Sequence, residues 1–249
     1  MKEFNKVTGR VAGIETMGLV DGPGVRTVVF LQGCPLRCVY CHNPEMQENK
    51  SGFVVKYTPE ELMEKLLRYK PYYKDNGGVT FSGGEPLLQS EFLCECVRLC
   101  EEEGINTAID TSGAGSNYDE FLNYIDLVIL DIKACNESEY KRITGGDFAL
   151  FEKFLQACQE KKKPLWLRQV VVPGINDDEK HILELAQYIS KIKYVERIEL
   201  LPYHEMAKVK YNSLEREYPL EGYTEMDSDK CKKLEEELIK KIKQIRGEK

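Results

Sequence analysis

Cys34, Cys38 and Cys41 fall within GCPLRCVYCHNP at a C-x3-C-x2-C spacing, and several chemistries compete for them. Cys38-Val39-Tyr40-Cys41-His42 has the spelling of a c-type haem attachment site, and Cys38–Cys41 alone that of a thiol–disulfide centre. With His42 the three thiols would make a closed Cys3His zinc knot. With Cys34 as the first of three thiolates they suit an iron–sulfur cubane, three irons bound and a fourth left for a ligand. Haem attachment fits poorly with an N-terminus lacking an apolar stretch and a small-residue cleavage site. A thioredoxin-like role leaves Cys34 idle, and a zinc knot leaves the polar residues described next without a task. The other six cysteines (Cys94, Cys96, Cys100, Cys135, Cys158, Cys231) include possible fourth ligands, so the open corner is an inference. Cys94, Cys96 and Cys100 share a predicted helix and read as core or incidental thiols.

The elements that must position these residues repeat along the chain. β-branched runs at Val25–Gln32, Gly78–Ser82, Asn106–Asp110, Asp126–Lys133, Leu165–Val172 and Val195–Leu201 read as strands. Helical patterns lie between them: one opened by Thr58-Pro59-Glu60-Glu61, then Ser90–Glu103, Phe148–Lys161 and Asp178–Ile192. A charged helix at about 228–246 carries Leu234, Leu238 and Ile242 on one face. Six βα units in series imply a parallel sheet with right-handed crossovers. Six strands suit a partial, side-open (β/α)6 barrel better than a closed eightfold one, and a doubly wound sheet also accommodates them. The expected organisation is a single domain over residues 1–249, with residues 1–24 as a lead-in ending in the Asp21-Gly22-Pro23-Gly24 loop.

Chemistry-bearing residues gather at the ends of these strands: Cys34, Ser82-Gly83-Gly84-Glu85, Asp110-Thr111, Asp131-Ile132-Lys133, Arg168 and His204. Parallel α/β folds bind ligands at that edge. Bulk properties narrow the classes further. The net charge of −7 disfavours phosphate-driven nucleic-acid binding. No run of roughly 18 apolar residues could span a bilayer. The expectation is a cytoplasmic chain whose nine cysteines stay reduced and serve metal or redox chemistry.

Cys34-x3-Cys38-x2-Cys41, with Tyr40 before the last cysteine, resembles the radical S-adenosylmethionine (radical SAM) signature. Gly83-Gly84-Glu85-Pro86 resembles that superfamily's GGE motif. Asp21–Gly24, Tyr40–Asn43, Ser82–Glu85, Asp110-Thr111, Leu130–Lys133, Val170–Gly174 and Leu200–His204 together look like the pyruvate formate-lyase activating enzymes. The resemblance implies a 4Fe–4S cluster on Cys34, Cys38 and Cys41 and S-adenosylmethionine at its open iron. Reductive cleavage would give a 5′-deoxyadenosyl radical that abstracts a glycine Cα hydrogen from pyruvate formate-lyase. It further implies that Tyr40, Cys41, His42, Gly84, Asp131, Ile132, Lys133 and His204 bind the cofactor. Asp110, Thr111 and Asp131 would hold a monovalent cation, and Asp21 would meet the glycine peptide. Arg168 and the segment 204–211 are candidate walls for that peptide's entry. A flavodoxin- or ferredoxin-like electron donor and a monomeric state complete the expectation. The alternatives are another glycyl radical enzyme as partner, or a plain iron–sulfur electron carrier.

Overall fold

A computed structural model describes residues 7–48 and 54–248. Six strands form its parallel body: β2 (Arg26–Leu31), β4 (Gly78–Gly83), β5 (Asn106–Thr111), β6 (Leu127–Asp131), β7 (Leu165–Val171) and β8 (Val195–Pro202). They are joined through α1 (Pro59–Leu66), α2 (Lys70–Tyr73), α3 (Ser90–Glu102), α4 (Phe121–Tyr124), α5 (Glu137–Thr144), α6 (Phe148–Glu160) and α7 (Glu179–Ile189). The short α8 (Lys208–Ser213) and the terminal α9 (Ser228–Arg246) follow β8. The sheet runs β3 (Val55–Tyr57), β1 (Gly9–Gly18), β2, β4, β5, β6, β7, β8 without closing, which is a partial barrel.

The lead-in differs from expectation. Residues 1–6 lie outside the described residues, but Gly9–Gly18 is strand β1, antiparallel to β2, and β3 (Val55–Tyr57) pairs on its far side. Three glycines and two register shifts interrupt the alternation in GRVAGIETMG. Without a clean period of two, the segment carries no strand signal of its own; pairing with β2 supplies it.

Local chemistry explains most helix starts. Thr58 and Glu61 form a reciprocal capping box with Pro59 at the first helical position. Asn136, Asp147, Asp178 and Asp227 cap α5, α6, α7 and α9 with their side chains. Val79 and Phe81 turn outward into the main core, where Leu62, Leu93 and Val97 meet them from the helices. Cys96 and Cys100 are buried in the same core, while Cys94 is half-buried at its margin. On the concave face, Ala108, Leu127 and Ile129 form a smaller cluster under Trp166.

Below that face lies Arg26, among the largest side chains that are fully buried. Its guanidinium donates to Thr80 Oγ1 at 2.6 Å, Val79 O at 2.7 Å, Asn106 Oδ1 at 3.0 Å and Pro23 O at 3.2 Å. Thr80 Oγ1 in turn donates to Asp21 O at 2.6 Å. Arg26 thereby fastens the Asp21–Gly24 loop to β4 and β5. Burial lowers its pKa to about 10, so it stays charged at neutral pH. Arg26→Met leaves these acceptors unpaired, and we expect a loss of about 3 kcal/mol. The check is a lower denaturant midpoint with an unchanged slope.

Candidate active site

The loop that leaves β2 is held on two sides. Arg37 N donates to Thr144 O at 2.7 Å and Val39 N to Ile143 O at 2.9 Å, hanging the loop on the last turn of α5. Gly33 N donates to Met46 O at 2.9 Å, tying its start to the short turn at Pro44–Met46. Cys34, Cys38 and Cys41 thereby line one wall of a cavity of about 300 Å3 at the C-terminal ends of the strands. Gly84, Asp110, Thr111, Asp131, Lys133 and His204 share it, as do Tyr40 and His42. Asp21 and Ile132 do not line it. Ile132 is buried behind it, its N–H donating to Arg168 O and its carbonyl accepting from Gln169.

Two glycines shape the wall beside the start of the thiol loop. Gly83 has φ +119°, a region open to glycine, and a Cβ there would overlap the Leu31 backbone. A Cβ on Gly84 would overlap the Gly33 carbonyl. The next residue, Glu85, is fully buried and is a positioning residue, a role the sequence reading did not assign to it. Its carboxylate accepts from Leu87 N at 3.1 Å, Ser112 N at 2.9 Å and the hydroxyls of Thr111 and Ser112 at 2.5 Å. It therefore knits the turn after β4 to the turn after β5. Only its place in the GGE motif could have flagged it.

The charges beneath the cavity are paired. Lys133 Nζ meets Asp131 Oδ2 at 2.5 Å and stands 5.5 Å from the Tyr40 ring centre. Burial is the largest influence and opposes the Lys133 charge, but Asp131, Tyr40 and Cys38 together more than offset it and hold the pKa well above the usual lysine value. Arg168, buried, lies 2.8 Å from Glu199 and 3.7 Å from Asp110, and donates to Val20 O at 2.6 Å. Rather than forming a wall of the cavity, Arg168 joins β5, β7 and β8 to the loop that carries Asp21. Burial, with Asp131 nearby, pushes the Asp110 carboxyl well up despite Arg168. His204 meets His42 edge-to-face at 4.1 Å between ring centres. Burial, reinforced by His204, lowers the His42 pKa to about 4, leaving it neutral at pH 7.

The sequence pattern of the Radical SAM superfamily matches residues 28–186, a stretch holding the three thiols, the glycine pair, Asp131 and Lys133. The chain belongs to the radical SAM superfamily. Two relatives narrow this. The pyruvate formate-lyase-activating enzyme of Clostridium pasteurianum is 51% identical over 234 residues, covering 93% of this chain and 98% of that protein. That of Streptococcus mutans is 40% identical, covering 88% of this chain and 87% of that one. The chain is thus a radical SAM enzyme of the pyruvate formate-lyase-activating family. Streptococcus suis SuiB, bound to its precursor peptide SuiA, shares the fold, with a TM-score of 0.65 at 18% identity. It covers 88% of this chain and 46% of the SuiB chain.

The radical SAM cofactors fit the residues present. Cys34, Cys38 and Cys41 are free thiols. Burial, with Glu85 adding to it, pushes the Cys34 thiol up to about 12, and burial pushes Cys38 to about 11. Such thiols become thiolates when a metal compensates the charge. Among the described residues no three His, Cys, Asp or Glu side chains converge as a single ion's ligands do; a cubane takes its thiolates at separate corners. The Tyr40 hydroxyl and His204 Nδ1, both buried, have no hydrogen-bond partner within the protein. Unpaired buried polar atoms beside a cavity suit a polar ligand. Among the described residues no helix is long and apolar enough to cross a membrane.

Proposed function

We propose that this chain activates pyruvate formate-lyase, as its relatives' names describe, by placing a glycyl radical on that enzyme. Held at this site, a 4Fe–4S cluster and S-adenosylmethionine would supply the radical chemistry that removes the glycine Cα hydrogen. The observation that carries the reading is the convergence of three free thiols, a side-chain-free glycine turn and a half-buried, ion-paired lysine on one cavity of about 300 Å3.

Cys34, Cys38 and Cys41 would hold three irons. Gly84 lets the backbone come close to the amino acid part of S-adenosylmethionine. Lys133 offers donors to its carboxylate. Tyr40, Cys41, His42, Asp131, Ile132 and His204 complete the cofactor site, the last with an unsatisfied ring nitrogen. The monovalent cation would draw its oxygens from Asp110, Thr111 and Asp131. Thr111 and Asp131 already serve Glu85 and Lys133, so the cation would bind among committed groups. Asp21, on the loop pinned by Arg26 and Arg168, would meet the incoming peptide. The protein's share of the work is orientation and exclusion of water. We further read the chain as a single cytoplasmic domain, monomeric, served by an external flavodoxin- or ferredoxin-like donor.

Lys133→Met removes the cation that would meet the cofactor's carboxylate and strands Asp131. We expect S-adenosylmethionine affinity to fall about tenfold or more at unchanged iron content, as read by equilibrium dialysis. The reading as a whole is tested by anaerobic reconstitution. Dithionite should drive formation of 5′-deoxyadenosine, and added pyruvate formate-lyase should then give a glycyl radical doublet by electron paramagnetic resonance. Cleavage without that doublet, and with a doublet on another glycyl radical enzyme, would replace the proposed partner. A loaded, reduced protein that never cleaves S-adenosylmethionine would sink the activity itself.

A further inference from the structure

The cluster loop has an outer face that takes no part in the cavity. Arg37, between Cys34 and Cys38, is exposed and does not line the cavity. Its guanidinium folds back to donate to the Cys34 carbonyl at 2.9 Å and the Leu36 carbonyl at 2.8 Å. It therefore sits one peptide carbonyl away from a thiol that the proposed function gives to iron.

Helix α5 adds to this charge. Its acids, Glu137 and Glu139, occupy the first turn, and its bases, Lys141 and Arg142, the last. The last turn is the one on which the loop hangs, through Thr144 and Ile143. Lys141 Nζ donates to Gly145 O at 2.8 Å, and a Cβ on Gly145 would stand 4.0 Å from Arg37 Cβ. Lys141 and Arg142 are both exposed, and among the described residues backbone carbonyls are the acceptors that Arg37 and Lys141 engage. Among the described residues none of Arg37, Lys141 and Arg142 has a carboxylate partner. Asp147 is the acid next along the chain, and it is engaged in capping α6.

Three cations thus gather at the back of the cluster loop, on a chain of net charge −7. Such a chain repels an acidic protein over most of its surface, and the field of this patch favours approach at one place. Reductive chemistry in the cavity needs an electron from outside, and electron transfer weakens steeply with distance. The substrate glycine must enter the cavity itself, so this outer face is left for a different visitor.

We infer that Arg37, Lys141 and Arg142 form the docking surface for an acidic one-electron carrier, which reduces the cluster through the Cys34 side of the loop. This deepens the proposed function and rests on its assignment of the cluster. In the step the carrier loses one electron and the cluster gains it, with no bond made or broken.

The probe is flavodoxin in its hydroquinone form, mixed anaerobically with the reconstituted protein in the absence of S-adenosylmethionine. Bleaching of cluster absorbance gives the reduction rate, independent of any turnover. Lys141→Glu/Arg142→Glu should slow that rate about tenfold or more at low salt and flatten its fall with added salt. Dithionite, a small reductant, should reduce variant and parent at equal rates. Arg142→Gln, at an exposed side chain with no hydrogen bond or ion pair among the described residues, should slow the flavodoxin reaction about twofold. Equal flavodoxin rates in parent and double variant would overturn the docking surface. So would an equal slowing with dithionite, which would mean that the cluster itself had been disturbed. A parent protein that is reduced normally yet never cleaves S-adenosylmethionine would count against the proposed function alone.

Discussion

Alanine at Cys34, Cys38 or Cys41 is expected to reduce 5′-deoxyadenosine formation to background, each single variant as severely as all three together. Each thiol lines the same cavity wall, and each would hold a different iron. A cubane missing one protein ligand on a buried wall has no replacement nearby, so the effects cannot add; they saturate at the first loss. The measurement is iron and sulfide content followed by 5′-deoxyadenosine yield with dithionite. Cys94→Ala is the control: that thiol is half-buried on α3, packed beside the main core and absent from the cavity wall. It should keep its cluster and its activity, with a stability change within about 1 kcal/mol. Loss of the cluster in Cys94→Ala would overturn the choice of ligands.

Gly84→Ala carries the next largest effect. The new methyl would land on the Gly33 carbonyl and within 2.9 Å of Met46 O, and both are backbone atoms. Neither can swing away as a side-chain tip would. Gly33 begins the cluster loop, and its N–H is already committed to Met46. The clash must therefore push the glycine turn and the thiol loop apart. A displacement of about 1 Å at a site of this kind costs roughly a hundredfold in rate. We expect 5′-deoxyadenosine formation to fall by that factor while a fraction of the iron is retained. Gly104→Ala separates sterics from backbone preference. Gly104 has φ +62° with nothing within 4 Å of its missing Cβ, so that variant should lose about 1 kcal/mol of stability and no activity. Activity in Gly84→Ala equal to that of Gly104→Ala would show that the turn tolerates a side chain.

The buried side chains that seat the loops are harder to anticipate than the loops. Arg26 carries no mark in the sequence, being one arginine at the start of a strand pattern, yet it makes bonds to residues 53, 54 and 80 positions away. Arg168 reads as an entry wall, and nothing in the sequence marks the bond it makes to Val20, 148 positions distant. Glu85 reads as the end of a motif and turns out to be the acceptor that joins two strand-end turns.

Where the relevant physics is local, the sequence alone determined the outcome. The C-x3-C-x2-C spacing keeps three thiols in one short loop, β-branched runs bounded by glycines give six strands, and caps start the helices. Right-handed parallel crossovers then send every strand end to one rim, which is why Cys34, Gly84, Asp131, Lys133 and His204 meet. Tertiary structure decided what depends on partners distant in sequence. It made a strand of the glycine-interrupted Gly9–Gly18, because β2 and β3 offered it hydrogen bonds. It put Asp21 and Ile132 outside the cavity wall, and it brought the basic end of α5 to the back of the cluster loop. Periodicity records which face of an element is apolar. It does not record which polar atom on that face will find its partner across the barrel, and the seating of this site consists of such pairings.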